Sequence, residues 1–531
     1  MIFQDRKTNY QQIDLVDEKG NIISGERYLV KITTPNEAVE EEGTPLNAAN
    51  MNKLCQISIG VSNEEVLEAG VVGYDADTRV MKVGDGKTKW QELKGIKRDV
   101  NEDVWTYYAN GENDNLTLPA IVSEIISDSR LPSNACIKLK VCGVLGVNLH
   151  ETLLDGNINE RTNPKSIFTF EVIDNSADRR VEIDWSDAII PQITTSTQSS
   201  GSLYMAMIRT KSGLISHTGA KIDFSFVVEN NCTVNAYGYF GDGINYEKCE
   251  ANVNSTSNGT GQSSGGYTYG FVGNNCKLNR CKSNTSQVGA GGCSGYYGNK
   301  NRYEYCEAVA TSETGAGYGF YTNYSTHNLC KSTATHGVVI YGYRGNYNHY
   351  VSCEADATNS EINTSISHGF MGENNDYDRC TSKASNKYGY GYSGVSNRYT
   401  YCTALGIGNA NGTDNGTGVG IMGANSMVLG CTLMGYDEHG LSVYGYKAKS
   451  GSVDSYHIIR NCIFERAVTD NHDGTNCRAI AIEEASMSQA YVIDGNVIDS
   501  GMIELVGIAP NSTDYLYLNN VHSIALTHTL G

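Results

Sequence analysis

One pattern occurs eight times between residues 237 and 433, and it constrains the fold more than any other feature of the chain. Each copy has a Gly followed by an aromatic or apolar residue, and a Cys stands 11 residues after that Gly. The glycines are Gly238, Gly270, Gly295, Gly319, Gly342, Gly369, Gly391 and Gly420, and the cysteines are Cys249, Cys281, Cys306, Cys330, Cys353, Cys380, Cys402 and Cys431. The distance from each Cys to the next Gly varies from 11 to 21 residues. A repeat with one constant and one variable half is typical of a solenoid, in which only part of each coil must stay in register.

The constant half of the repeat predicts short strands, because it is rich in Tyr, Phe, Thr, Val and Asn and lacks helical periodicity. Aligning the copies on Cys gives columns of like residues, which parallel coils would stack about 4.8 Å apart. An aromatic residue or its equivalent stands three positions before Cys, in Tyr246, Leu278, Tyr303, His327, Tyr350, Tyr377 and Tyr399. Asn recurs five and seven positions before it, and Ala or Ser two positions after it. We expect Cys and the small residue to face the interior.

The residue between Cys and the small residue should face outward. It alternates in charge along Glu250, Lys282, Glu307, Lys331 and Glu354, which predicts a surface ladder of ion pairs. Together the columns resemble right-handed parallel β-helix proteins with Cys, Asn and aromatic ladders. The predicted fold class is therefore mainly β, a right-handed parallel β-helix.

The cysteines allow two interpretations. Sixteen of them would indicate disulfides in a small secreted domain. In a long chain with regular spacing and no recognisable signal peptide, buried reduced thiols are the preferred interpretation. Metal binding is weakly indicated, because neither Cys276 with Cys281 nor Cys136 with Cys142 has partners at zinc-finger spacing. We expect no metal site and no cofactor.

Charge and hydropathy exclude some classes of partner. The formal net charge of −19 disfavours nucleic acid and anionic membranes. No run of about 18 apolar residues predicts a membrane span.

Two N-terminal motifs resemble phage tail proteins. Residues 43–52 (GTPLNAANMN) resemble a stretch near the N-terminus of tail proteins from phages of Gram-positive bacteria. Residues 72–93 predict a β-hairpin with turns at 75–78 and 85–86 and with Trp90 as an apolar plug. They are similar to a small module of phage tail fibres and hyaluronidase-type proteins, where it helps to form trimeric N-terminal regions. A cation loop at residues 84–86 is the less favoured alternative.

The predicted domain limits follow from these features. They are a tail-docking segment at 1–60, the hairpin module at 61–97, a linker with a capping helix at 98–134, the β-helix at 135–523 and a C-terminal cap at 524–531. We expect the helix at 117–130 to cover the first coil, with Thr117 as its N-cap and Leu118, Ile121, Val122 and Ile125 on its apolar face. Residues 181–186 and 221–225 share an Ile-Asp-aromatic-Ser core and are interpreted as successive early coils, whereas 192–202 is predicted to be a surface loop. Residues 458–463, 492–498 and 516–521 predict three further coils.

The candidate binding residues are Phe240, Tyr297, Tyr321 and Arg344. If the aromatic residue after each Gly points inward, strict alternation places the Gly column and the column containing these residues outside. A flat floor of glycines edged by aromatic rings suits an extended glycan. The alternative is that each Gly forms a sharp corner with positive φ, and that the rings cover a face or a trimer contact.

Candidate catalytic residues remain open. Hydrolysis of a glycan needs two carboxylates roughly 5–10 Å apart. Three groups are available: Asp356 with Glu361; Glu373 with Asp376 and Asp378; and Asp437 with Glu438 and His439. A lyase would use Tyr or His with Arg, and His349 with Arg344 fits this loosely. His327 stands in the aromatic column and is expected to be structural.

Three functions follow from these expectations. The first is a phage or prophage tail spike or fibre subunit, a homotrimer that docks on the tail or baseplate through its N-terminus and attaches the virion to a bacterial surface polysaccharide. The second is a polysaccharide depolymerase on the same β-helix. The third is a bacterial β-helix adhesin, which the lack of a recognisable signal peptide disfavours.

Overall fold

The protein is described from a computed structural model. The structure describes residues 10–16, 22–31, 57–59, 66, 72–75, 80–83, 87, 89, 104–110, 118–127, 131, 135–145, 164–171, 179–197, 201–228, 232–257, 266–289, 291–359, 366–408, 417–437, 443–448, 456–468, 477–482, 490–499, 502–506, 515–523 and 527–529. Two compact units are present, one formed by 1–108 with 128–135 and the other by 109–127 with 136–531.

The first unit contains two small sheets. Its strands are β1 (Tyr10–Val16), β2 (Ile22–Lys31), β3 (Ile57–Ile59), β4 (Val72–Asp75) and β5 (Val80–Val83). β4 and β5 pair antiparallel, so the predicted hairpin is confirmed. The sheet also includes β3, which lies before the predicted module and pairs parallel with β4. The motif at 43–52, the turn residues 84–86, Trp90 and Thr117 lie outside the described residues.

One helix and the remaining strands follow along the chain. The helix is α1 (Leu118–Ser127), and β6 (Val104–Asn110) spans the sequence boundary between the units. The further strands are β7 (Cys136–Val144), β8 (Lys165–Phe170), β9 (Arg180–Ile189), β10 (Ile193–Thr197), β11 (Gly201–Thr210), β12 (Ile215–Thr218), β13 (Lys221–Val228), β14 (Cys232–Phe240), β15 (Asn245–Glu247), β16 (Glu250–Ser257), β17 (Tyr267–Val272), β18 (Lys277–Asn279), β19 (Lys282–Val288), β20 (Gly292–Asn299), β21 (Arg302–Glu304), β22 (Glu307–Ser312), β23 (Ala316–Asn323), β24 (Thr326–Asn328), β25 (Lys331–Thr335), β26 (Val339–Arg344), β27 (His349–Val351), β28 (Glu354–Thr358), β29 (Ile366–Glu373), β30 (Asp376–Asp378), β31 (Thr381–Asn386), β32 (Tyr388–Val395), β33 (Arg398–Thr400), β34 (Thr403–Gly408), β35 (Thr417–Ala424), β36 (Met427–Leu429), β37 (Thr432–Asp437), β38 (Val443–Ala448), β39 (Tyr456–Arg460), β40 (Ile463–Val468), β41 (Cys477–Ile482), β42 (Ala490–Asp494), β43 (Val497–Asp499), β44 (Ile503–Val506), β45 (Tyr515–Leu518), β46 (Val521–Ser523) and β47 (Thr527–Thr529).

These strands form a parallel β-helix with three long sheets. From β10 onward each coil contributes one strand to each sheet in turn. Sheet 1 has the order β10-β13-β16-β19-β22-β25-β28-β31-β34-β37-β40-β43-β46, with β47 beside β40; sheet 2 has the order β8-β11-β14-β17-β20-β23-β26-β29-β32-β35-β38-β41-β44; and sheet 3 has the order β6-β7-β9-β12-β15-β18-β21-β24-β27-β30-β33-β36-β39-β42-β45. Neighbouring coils pair in parallel, and the Cys-aligned columns stack in register. The predicted β-helix is therefore confirmed, and it includes the three further coils near its C-terminal end.

The interior is filled by stacked rings, thiols and small side chains. The aromatic residues after the repeat glycines form one stack, with ring centroids 4.6 Å apart between Tyr296 and Phe320 and 4.7 Å between Phe320 and Tyr343. The column three before Cys forms a second, in which His327 lies 4.7 Å from Tyr350. His327 is buried in this stack and its Nε2 lies 3.0 Å from Thr322 Oγ1, which confirms its structural role. Burial also lowers the pKa of His327 to about 4.

Two Asn ladders close the turns between sheets 2 and 3. In the buried ladder, Asn375 Oδ1 accepts from the backbone N–H of Asn348 at 2.7 Å, while its Nδ2 donates to Gly345 O at 2.8 Å and to the Tyr377 hydroxyl at 3.0 Å. The outer ladder includes Asn299, whose backbone N–H donates to Asn274 Oδ1 at 2.9 Å. These bonds satisfy the backbone groups that a turn leaves unpaired, which explains why Asn recurs at both positions.

The Cys column is buried and reduced. Cys249, Cys281, Cys306, Cys330, Cys353, Cys380, Cys402 and Cys431 are all free thiols with at most 1% exposure. Each following Ala or Ser is buried as well, as predicted. Two pairs of the ion ladder form, Lys282 with Glu307 at 2.9 Å and Lys331 with Glu354 at 3.4 Å.

Residues 181–186 belong to β9 and 221–225 to β13, which lie in successive coils as interpreted, although β9 is in sheet 3 and β13 in sheet 1. One local expectation is wrong. The predicted loop at 192–202 contains β10, which pairs parallel with β13 because its β-branched residues suit a strand. On α1, Ile126 is buried, whereas Ile121 is only half-buried. In the described part of the chain, no helix is long and apolar enough to cross a membrane.

Candidate functional site

The strands of sheet 2 bend at each repeat Gly, and this bend determines which side chains face outward. A Cβ atom at Gly295 would lie 2.9 Å from Ala308 Cβ, so this Gly faces the interior, and so does Tyr296 after it. A Cβ atom at Gly319 would lie 1.7 Å from Ser332 Oγ, so this Gly faces the interior as well. Two consecutive residues therefore point inward, and strict alternation fails.

The predicted outward Gly floor is thus wrong. Seven of the eight repeat glycines face the column of small residues, where two sheets approach too closely for a side chain, and Gly420 faces the backbone of Met434. The alternative of a positive-φ corner is wrong as well, because none of the eight has a positive φ. The positive φ values fall in the neighbouring turns instead, for example at Tyr305 and Tyr324.

The bend leaves two columns on the outer face of sheet 2. Column A holds the residue before each of the eight repeat glycines, together with Tyr444, which is the equivalent residue of the following coil. Its members are Tyr237, Tyr269, Ser294, Tyr318, Tyr341, His368, Tyr390, Val419 and Tyr444. Column B holds the residue two positions after each of the eight repeat glycines, together with the equivalent Lys447 of the following coil. Its members are Phe240, Val272, Tyr297, Tyr321, Arg344, Met371, Ser393, Met422 and Lys447. Side chains of the two columns touch, as shown by the ring centroids of Tyr237 and Phe240 at 5.2 Å.

Column A is an ordered stack of rings. Tyr318 and Tyr341 are parallel with centroids 5.1 Å apart, His368 lies 5.2 Å from Tyr341, and Tyr390 lies 5.0 Å from His368. Column B covers this stack with side chains that are half-buried except for the buried Ser393, and Tyr297 meets Tyr321 edge to face at 5.3 Å. The face is rigid before any ligand arrives, because each ring is held by its neighbours.

Arg344 is the charged centre of this face. Its guanidinium carbon lies 4.9 Å from the ring centroid of Tyr341, 5.2 Å from that of Tyr321 and 5.5 Å from that of Tyr318. Nη1 donates a hydrogen bond of 2.9 Å to the Tyr318 hydroxyl. Burial disfavours the charge, but the surrounding Tyr hydroxyls outweigh it and raise the pKa of Arg344. Burial also raises the pKa of Tyr318 to about 12, so this hydroxyl stays protonated at neutral pH.

A similar arrangement recurs towards the C-terminal end of the same face. Arg478 follows Tyr444 in column A and donates Nη1 to its hydroxyl at 3.1 Å. Lys447 of column B lies with its Nζ 4.9 Å from the Tyr444 ring centroid. Cations packed on aromatic faces thus occur at two places along sheet 2.

The four candidate binding residues all lie in column B. Tyr297, Tyr321 and Arg344 are on consecutive coils, while Phe240 is two coils before Tyr297. Sequence reasoning missed column A because it assumed strict alternation through the Gly. The signal was present, since Tyr or His stands directly before six of the eight repeat glycines.

The candidate catalytic groups do not converge on this face. Asp356 lies in sheet 1, and Asp376 and Asp378 lie in sheet 3, whereas Glu373 ends β29 of sheet 2. Glu361, Glu438 and His439 lie outside the described residues. His349 belongs to sheet 3 and pairs with Asp376 at 3.4 Å, so the pairing of His349 with Arg344 is wrong. Within the described part of the chain, no group of three or more His, Cys, Asp or Glu residues is placed to hold a metal ion.

Comparisons with known proteins give structural similarity alone. No family model and no curated protein sequence matches the chain. Similar solved structures include the A-module of the mannuronan C-5 epimerase AlgE6 of Azotobacter vinelandii, at 12% identity and a TM-score of 0.36, over 80% of this chain and 99% of that one. The periplasmic alginate epimerase AlgG has 11% identity and a TM-score of 0.29, over 65% and 77%. The Dettilon tailspike protein has 12% identity and a TM-score of 0.26, over 72% and 70%. We transfer no residue role from proteins at such identities.

Proposed function

We propose that the protein is a phage or prophage tail spike or fibre subunit that attaches the particle to a bacterial surface polysaccharide. The binding surface is the outer face of sheet 2. The observation that carries this proposal is the pair of adjoining columns A and B, which line one face of the β-helix with rings and with Arg344.

The face has the properties that an extended sugar chain requires. Sugar rings present apolar C–H faces that stack on aromatic rings, and Tyr hydroxyls offer hydrogen bonds to sugar hydroxyls. Tyr297 and Tyr321 are half-buried and packed against their neighbours. Binding therefore costs little side-chain entropy, because these rings are already ordered.

The tail assignment is supported by the N-terminal resemblance. The GTPLNAANMN stretch and the module at 72–93 resemble segments of phage tail proteins, and β4 with β5 forms the expected hairpin. In this proposal residues 1–60 dock on the tail or baseplate, the chain forms a homotrimer, and it acts outside the cell as part of the virion.

The test compares two pairs of Tyr→Ala substitutions. Tyr297→Ala with Tyr321→Ala removes rings from column B, and we expect binding to host cells or purified wall polysaccharide to weaken at least about tenfold. Tyr324→Ala with Tyr347→Ala is the matched control, since these exposed rings stack at 4.8 Å on the turns between sheets 2 and 3. Equal binding by wild type and the Tyr297/Tyr321 variant would refute the assignment of the face.

The depolymerase alternative is separated by a product assay on the same polysaccharide. New reducing ends or unsaturated uronate absorbance would identify an enzyme. We expect binding without either product.

A further inference from the structure

We propose that the outer face of sheet 2 selects an anionic glycan, whose carboxylate or phosphate groups bind at Arg344 and at Arg478. The inference rests on the proposed function, because it specifies the chemical class of the glycan bound by the same face.

The first observation is the charge of sheet 2. The chain as a whole has 59 acidic and 40 basic residues. In sheet 2 the strands from β8 to β41 have more basic than acidic residues. Their one acidic residue is Glu373, at the end of β29. Their basic residues are Lys165, Arg209, Arg344, Lys447 and Arg478. Glu504 follows only in β44.

The other two sheets carry acidic residues in many strands. Sheet 1 includes Glu250, Glu307 and Glu354, and sheet 3 includes Asp376 and Asp378. These acids stand among basic residues, as in the pairs of Glu307 with Lys282 and of Glu354 with Lys331, so sheets 1 and 3 carry mixed charge. The charged residues of sheet 2 are mainly basic, and this sheet therefore attracts an anionic polymer more strongly. The charge pattern therefore directs such a ligand to the face that carries columns A and B.

The second observation is the unused hydrogen-bonding capacity of Arg344. A guanidinium has five N–H donors, and the one hydrogen bond that Arg344 makes to a described residue is from Nη1 to Tyr318. None of the described carboxylates lies within ion-pair distance of it. Three Tyr rings hold the guanidinium in place, so the remaining donors are oriented in advance for an oxyanion.

The third observation is that this arrangement is repeated. Arg478 donates to Tyr444 as Arg344 donates to Tyr318, and its ring contact is similar, at 5.4 Å from carbon to centroid. Arg344 is in β26 and Arg478 in β41, five strand spacings apart in sheet 2, or about 24 Å. A linear polymer that follows the axis across the strands can reach both positions.

The experiment measures affinity for one wall polysaccharide in three forms: native, with its uronic carboxyl groups reduced to alcohols, and with its phosphodiesters removed. We expect wild type to bind the native form at least about tenfold more tightly than the form that lacks the recognised anion. The treatment that weakens binding identifies carboxylate or phosphate as the source of the charge.

Substitutions connect the selectivity to the two arginines. Arg344→Gln should lose about tenfold or more in affinity for the native polymer but less than twofold for the neutralised one, and adding Arg478→Gln should weaken native binding further. Arg344→Lys keeps the charge but loses the planar guanidinium with its paired N–H donors. Its affinity for the native polymer should therefore lie between that of Arg344→Gln and that of wild type. Arg398→Gln, an exposed Arg in sheet 3, is the control with the same loss of charge. Melting temperatures verify that each variant is folded.

The outcomes separate the two proposals. Equal binding of native and neutralised polymer, with Arg344→Gln behaving as wild type, overturns the charge selectivity and leaves the glycan-binding proposal standing. Failure of wild type to bind any form overturns both. Equal losses in Arg344→Gln and Arg398→Gln would show a general charge effect and would also overturn the assigned positions.

Discussion

A Gly→Ala substitution in sheet 2 distinguishes the observed inward-facing Gly column from the outward floor that alternation predicts. At Gly319 the new Cβ would lie 1.7 Å from Ser332 Oγ and 2.7 Å from Gly342 O. The Ser332 hydroxyl cannot rotate away from the new Cβ without losing a buried hydrogen bond, because its Oγ donates to Gly342 O at 2.7 Å. Overpacking costs about 1–3 kcal/mol, and the lost buried hydrogen bond about 1 kcal/mol more.

Gly317 of the same strand is the matched control. A Cβ there would have Ile340 Cγ2 as its nearest neighbour, at an ordinary contact distance of 3.4 Å, and its φ is not positive. Gly317→Ala should therefore leave stability unchanged or raise it by about 0.4–1 kcal/mol, because the unfolded chain loses entropy.

The assay is guanidinium unfolding of both variants beside wild type, followed by Tyr fluorescence, with unfolding rates compared if unfolding is irreversible. We expect Gly319→Ala to unfold at a clearly lower denaturant concentration than Gly317→Ala. If Gly319→Ala is as stable as wild type but binds glycan poorly, the Gly column faces the ligand and the interpretation of the bend is refuted.

Three further predictions concern the ladders, the buried histidine and the assembly. Asn375→Ala should lower the free energy of unfolding by about 2–4 kcal/mol because it leaves three buried groups unpaired. Asn299→Ala removes only exposed bonds to the side chains of Asn274 and Asn323, so it should cost under about 1 kcal/mol in the same denaturation assay. Burial holds the pKa of His327 at about 4, below its unfolded value of about 6.5, so the stability contributed by the neutral ring is complete above pH 6.5 and is lost as pH falls to 4. His327→Tyr should therefore make the melting temperature fall less steeply across that range, although His217 and His457 still contribute to the fall, and an unchanged acid slope would contradict this. Light scattering should give three times the chain mass of 57.6 kDa, and a monomer mass would refute the homotrimer.

Much of the β-helix could be predicted because its repeat satisfies the same physical demands in every coil. Stacked strands place like residues above one another, so the Cys, Asn and aromatic columns were visible in the sequence and recur in the structure. The constant spacing from Gly to Cys reflects a constant path from sheet 2 through sheet 3 to sheet 1.

The bend at Gly was the part that the sequence pattern misrepresented. Alternation assumes a straight pleated strand, but seven of the eight repeat glycines meet an Ala or Ser across the interior, as Gly342 meets Ala355, and the chain turns there. Tyr318 and Tyr341 were therefore not recognised as neighbours of Tyr321 and Arg344. Whether two sheets approach closely depends on residues distant in sequence, and single-strand periodicity does not contain that information.

The central claim is that the outer face of sheet 2 is the glycan-binding surface. It is tested most directly by a crystal structure of the protein with an oligosaccharide from the host wall polysaccharide. The account predicts sugar rings on Tyr297 and Tyr321, with an anionic group hydrogen-bonded to Arg344. An oligosaccharide bound on sheet 1 or sheet 3, with columns A and B unoccupied, would contradict it.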